Sequence, residues 1–131
     1  MGEPLTFLGL ARRANRLSAG EDAVDAALTA GTVRLLVLAC DAGEHTVRRA
    51  EHRSQGRLPI AYLTADKAAL GQVLGWKSCS VAAMTDLGMA LSFAKALAAQ
   101  DSRHAPVLEA LEETKDRIDR RKAKKPGKKR V

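Results

Sequence analysis

Asp41 is the residue whose setting most invites a chemical reading. It follows directly on the largely apolar run Val33 to Cys40, His45 stands four residues on, and Asp86 follows a second apolar run, Ser80 to Met84. Acids at the carboxyl ends of strands are where open α/β sheets place ligands and catalytic groups. The same residue type also begins and caps helices, and that role accounts for both aspartates without catalysis. The sequence contains no Gly-x-x-x-x-Gly-Lys-Ser/Thr loop, no Gly-x-Gly-x-x-Gly after a strand, no His-Glu-x-x-His and no Gly-x-Ser-x-Gly. Its 3 histidines have no Ser or Cys beside them in a nucleophile arrangement. The expectation is a non-catalytic protein with no cofactor and no bound metal.

Two other features carry chemistry of a binding kind. At Gly20-Glu21-Asp22 a glycine precedes a helix start, whose free N–H groups can meet a phosphate or a base edge. Glu21 and Asp22 already satisfy the helix dipole and would repel a phosphate, but carboxylates accept hydrogen bonds from the amino and imino groups that guanine offers. An acidic first turn present only for helix stability explains them equally well. The second feature is the carboxyl end. From Arg120 to Val131 there are eight basic residues and no acid: Arg120, Arg121, Lys122, Lys124, Lys125, Lys128, Lys129 and Arg130. Such a block is a polyanion footprint, and these eight are the expected phosphate contacts. The formal net charge is +7, and most of the excess lies beyond residue 100.

Composition narrows the partner. Aromatics make up only 3% of the chain, which leaves few platforms for stacking unpaired bases and argues against a single-strand binder of the stacking type. Cys40 and Cys79 both sit in apolar runs and outside any Cys-x-x-Cys, so both are expected as small buried hydrophobes with free thiols. Leu5 to Leu10 is too short for a signal segment, and Arg12-Arg13 follows it rather than preceding it. No apolar run approaches a membrane span. The chain is therefore expected to be cytoplasmic and monomeric, with no membrane partner.

The elements that must position these residues can be read from pattern. Pro4 suits the first turn of a helix reaching Ala14, and Arg16 to Gly20 reads as a short extended link. A helix spans Glu21 to Ala30 and stops at Gly31. Val33 to Cys40, Pro59 to Leu63 and Ser80 to Met84 read as strands. Helices over 44–55, from Thr64 or Asp66 to Gly75, and from a Thr85 cap to about Ala99 alternate with them, which is the α/β pattern. Residues 1–100 are expected to form the domain, and 101–131 a charged extension. Within the extension, Leu108, Leu111 and Ile118 mark a thin stripe on a solvent-exposed helix over 106–121, and the tail beyond Lys122 reads as disordered until it meets a polyanion. A rival role for that helix is to dock a partner protein.

Several stretches together resemble a known family: Leu8-Gly9-Leu10-Ala11-Arg12-Arg13-Ala14 with Arg16-Leu17, Gly20-Glu21-Asp22-Ala23-Val24, Leu35 to Ala42, Leu70-Gly71 with Gly75, and Val81 to Gly88 with Met89-Ala90. In order and spacing they resemble the ribosomal protein superfamily of L-seven-Ae and L-thirty-e, and within it the bacterial YlxQ-like branch, over about residues 5–98. The resemblance implies a three-layer α/β/α sandwich with a four-stranded mixed sheet, and RNA binding, typically at kink-turns and on ribosomal RNA. Carried over by position, the RNA-contacting residues are Gly20, Glu21 and Asp22, then Asp41, then Lys77, Ser78 and Cys79. Kink-turn binders of the family usually show Asn-Glu and, three residues later, Lys; here those positions hold Asp22, Ala23 and Ala26.

Overall fold

The computed structural model describes residues 3–123. The tail positions Lys124, Lys125, Lys128, Lys129 and Arg130 lie outside the described residues. In chain order the elements are α1 (Pro4–Arg13), β1 (Leu17–Ala19), α2 (Glu21–Ala30), β2 (Leu35–Leu38), α3 (Glu44–Ser54), β3 (Ile60–Tyr62), α4 (Lys67–Leu74), β4 (Val81–Met84), α5 (Leu87–Gln100), a 3-10 turn (Ser102–His104) and α6 (Ala105–Ala123).

The four strands form one mixed sheet in the order β1-β4-β2-β3. β4 pairs antiparallel with both β1 and β2, and β2 pairs parallel with β3. All four residues of β2 and of β4 are buried, which is why both runs are apolar without alternation. Successive side chains still point to opposite faces. Leu35, Val37, Ala82 and Met84 join a core with Leu8 and Ala11 of α1, Leu70 and Leu74 of α4, and Phe93, Ala94 and Leu97 of α5. Leu36, Leu38, Val81 and Ala83 face the other way, onto Val24 and Ala27 of α2 and Ala50 of α3. Three layers result, helices covering both sides of the sheet, as the α/β/α sandwich requires.

The local signals behave as their chemistry dictates. Pro4 stands in the first turn of α1, and Gly31 closes α2 at φ 75°, a left-handed conformation that costs glycine no Cβ clash. Two caps differ from expectation. Asp86, not Thr85, caps α5, its Oδ2 accepting from the Met89 N–H at 2.9 Å. Asp41 does not open the helix that follows it, which begins after Gly43 with no side-chain cap. Its Oδ1 instead accepts from the Lys67 N–H at 2.7 Å, at the start of α4, where Asp66 also accepts from Ala69 N–H.

Beyond Gln100 the chain is not a free appendage. The 3-10 turn reverses direction, and α6 packs on α5, the short connection forcing antiparallel neighbours. Leu111 is 1% exposed inside the same core as Phe93 and Leu97, with Val107 and Leu108 packed against it. The stripe, too thin to hold a helix by itself, is completed by α5, whose own apolar side chains Phe93, Ala94 and Leu97 share its core. The stripe a docking helix would offer a partner is thereby used within the chain. Among the described residues no helix is long and apolar enough to cross a membrane.

Candidate functional site

Sheet topology decides which of the singled-out residues meet. Because β1 and β2 both run antiparallel to β4, their carboxyl ends lie beside its first residues: Ala19 opposite Ala82 and Leu38 opposite Val81. The pairing extends one step further on each side, with Gly20 N–H donating to Val81 O at 2.9 Å and Ala39 N–H to Ser80 O at 3.0 Å. The chain entering α4 is tied in by Cys40 N–H to Ala65 O and by Cys79 N–H to Lys67 O, both 2.9 Å. Gly20 to Asp22, Asp41 and residues 75–80 thus gather at one pole of the sheet. Asp86 does not: it stands at the far end of β4, 3.9 Å from the Arg16 guanidinium. The two aspartates sit at opposite ends of the sheet and form no carboxylate pair.

Within the pole each residue has a definite setting. Gly20 has φ 90° and ψ 160°, a region open to glycine almost alone. The space a Cβ would take there is bounded by the Trp76 ring, at 3.4 Å. Glu21 accepts from the Thr46 hydroxyl at 2.6 Å, so its carboxylate is committed to α3. Asp25, one turn on, receives Arg49 at 2.5 Å and Arg53 at 3.3 Å, and the hydrogen bond from Arg49 holds its carboxyl below the usual range. Asp22 is exposed between these two committed acids. Lys77 and Ser78 are exposed. Cys79 is not: its thiol is buried and donates to Val81 O at 3.2 Å, so it supports the loop rather than presenting itself on the surface.

Cys40 departs from expectation in the opposite sense. The buried part of the run ends at Ala39, and Cys40 faces solvent where the chain leaves the sheet. It opens onto a groove of ≈ 480 Å³ with Tyr62, Thr64 and Arg103 among its walls. Tyr62 donates to Glu51 at 2.5 Å, and partial burial followed by that carboxylate pushes its phenol up to about 12. Arg103 is held by Asp101 at 2.6 Å, and the hydrogen bonding of Arg103 draws that carboxyl down to about 2. The two thiols should therefore separate cleanly. A thiol reagent should modify Cys40 in the native protein and reach Cys79 only on unfolding, because burial raises the Cys79 pKa and withholds the reactive thiolate. Equal rates for both in the native state would contradict this packing.

Sequence reasoning missed Trp76 and Arg12. The Arg12 guanidinium lies 4.8 Å from the centroid of the Trp76 ring, and the ring, 39% exposed, packs beside Gly20. A cation over an indole face is the favourable geometry for such a pair. The available signal was a solitary tryptophan directly before Lys77 in a chain with so few aromatics. The loop is held by a close approach: a Cβ on Gly71 would stand 2.5 Å from the Cα of Ser78. Among the described residues no group of three or more His, Cys, Asp or Glu is placed to hold a metal ion.

No protein-family model matches the chain, and no curated protein does. Solved structures do match it, 173 chains in all, so the architecture is one that recurs. One of them, the structure of a protein with unknown function from Bacillus halodurans, is 30% identical with a TM-score of 0.67. That match covers 73% of this chain and 97% of the other.

Proposed function

The chain belongs to the same family as the Bacillus halodurans protein, and we propose that it is a non-catalytic RNA-binding protein of the YlxQ-like, L-seven-Ae and L-thirty-e type, which associates with structured RNA, ribosomal RNA foremost. The observation that carries the proposal is the loop pole. Three chain segments far apart in sequence meet there, with an exposed indole stacked by an arginine, exposed Lys77 next to it in the chain, and exposed Lys67 tied to the same loop through its carbonyl, which accepts from Cys79 N–H. An aromatic face and flexible cations set among hydrogen-bond acceptors suit an unpaired base and the phosphates flanking it. The acids fit this reading too. Glu21, Asp41 and Asp66 are occupied by donors of the protein itself, which leaves Asp22 as the carboxylate free to accept from a guanine edge. The basic residues from Arg120 onward add affinity without sequence preference.

Whether the RNA is a kink-turn turns on three side chains. Asp22, Ala23 and Ala26 are all exposed, so changing them leaves the core alone. Asp22→Asn, Ala23→Glu and Ala26→Lys together should raise the ratio of kink-turn to plain-duplex affinity by about 1–3 kcal/mol, by analogy with base readout in DNA. The ratio is measured at fixed salt on the chain ending at Ala123, which excludes any gain from the tail. A flat ratio with an unchanged circular dichroism spectrum would show that α2 does not face RNA.

A further inference from the structure

Positive charge collects at the pole opposite the loops. β1, β2 and β3 all point the same way, and each is entered through an exposed arginine: Arg16, Arg34 and Arg57. Arg16 and Arg34 flank the end of β4, since Thr85 N–H donates to Arg16 O at 3.0 Å and Arg34 N–H to Met84 O at 2.8 Å. Two strand steps separate them, roughly 10 Å. Arg57 stands next along the same edge, two residues before the Pro59 carbonyl that accepts from Leu36 N–H. α6 arrives there as well: at about 1.5 Å per residue it returns the full length of α5 and about a turn beyond, placing exposed Arg120, Arg121 and Lys122 at the end where α5 begins. The acids nearby are Asp86, which caps α5 and lies 3.9 Å from Arg16, and Asp116 and Asp119 on α6, the latter bound to Lys115 at 2.7 Å. Among the described residues no carboxylate forms an ion pair with Arg34, Arg57, Arg120, Arg121 or Lys122.

We propose that this pole is a second RNA-contact surface, separate from the loops, which holds the phosphate backbone of another RNA segment so that one molecule joins two. The first segment rests on the function proposed above; the second rests on the arginine row alone. Asp41 and Arg34 are seven residues apart along β2, so the two surfaces stand roughly 20 Å apart and face away from each other. A straight duplex lying on one cannot touch the other. Arginine at the three strand starts presents planar forks that match phosphate oxygens, whereas lysine would offer point charges. The large exposed apolar side chains, Leu10, Tyr62 and Trp76, lie on α1 and at the loop pole, so this surface lacks the apolar anchors of a membrane-seated one.

The test uses the full chain, an immobilised kink-turn RNA and a labelled 20-base-pair RNA duplex of about two helical turns. Protein should retain the labelled duplex on the immobilised RNA. The pair Arg34→Glu and Arg57→Glu should lower duplex retention by roughly tenfold or more, with the immobilised RNA still bound and an unchanged circular dichroism spectrum. Arg34→Gln with Arg57→Gln should give an intermediate loss, which separates charge from misfolding. Full retention by the charge-reversed protein would overturn the proposal, as would loss of both RNAs in parallel. Capture of anionic vesicles in place of the duplex would overturn it too. Duplex binding that depends on Arg34 and Arg57 but occurs without any hold on the kink-turn RNA would support this surface and remove the loop-pole reading instead.

Discussion

Gly71→Ala should destabilise the protein by about 2–3 kcal/mol, and weaken RNA binding beyond what the loss of folded protein explains. The added methyl would stand 2.5 Å from Ser78 Cα, 2.7 Å from its N and 2.9 Å from its carbonyl carbon. All three are backbone atoms, so no rotamer change relieves the clash. Either α4 or the loop 75–80 must move, and α4 is pinned by Leu70, Leu74 and two aspartate caps. The loop is the part that gives way, and it carries Trp76 and Lys77. Urea unfolding measures the first effect as a lower midpoint at unchanged slope. Quenching of the single tryptophan measures the second, since a displaced loop exposes the indole now stacked by Arg12. A midpoint within experimental error of the parent would mean that helix and loop are not in the contact described.

The second large effect lies at the carboxyl end. A chain ending at Gln100 should fail to fold stably, whereas one ending at Ala123 should unfold as the full chain does. Residues 101–123 contribute the fully buried Leu111 and buried His104, and they cover the outer side of α5. Leu111→Ala alone should cost about 2–5 kcal/mol, the range for emptying a core leucine site. For a chain of this size that is a large part of total stability, about 5–15 kcal/mol. Thermal unfolding of the two truncations and of Leu111→Ala settles the point. A stable, cooperative fold ending at Gln100 would show α6 to be an accessory after all.

Much of the fold is legible in the sequence because local chemistry and tertiary environment agree. Glu21–Ala30 reads as a helix between two glycines, and each glycine takes a conformation other residues avoid. The β2 and β4 runs read as strands because burial on both faces removes the need for polar alternation. β1 reads only as an extended link, since its three half-buried residues carry no period. The antiparallel placement of β4 between β1 and β2 cannot be read from periodicity, because a buried strand has the same pattern in either direction. Here the family resemblance supplied the mixed sheet.

The site is legible to a lesser degree, for reasons that can be named. Gly20, Asp41 and Lys77 meet only because the sheet order brings three strand ends together. The apolar runs around the two cysteines do not show that Cys40 is exposed while Cys79 is buried, because each lies two residues outside its strand, where the covering of the chain depends on the loops packed over it. Trp76 is not legible as a site residue because its two partners, Gly20 and Arg12, come beside it only through the fold. The packing of the helix beyond residue 104 is not legible either, because its thin stripe shows its use only against the apolar face of α5 that it covers.

The measurement closest to the central claim is a crosslinking map. The chain ending at Ala123, without the last basic residues, is irradiated in complex with ribosomal RNA, digested at Lys and Arg, and the RNA-linked peptides are identified. Crosslinks are expected on the peptide from Ala68 to Lys77, which carries Trp76, and on the peptide from Leu17 to Arg34, which carries Gly20 and Asp22. Crosslinks confined to residues 103–123, or none at all with a folded and fully active RNA, would contradict that claim.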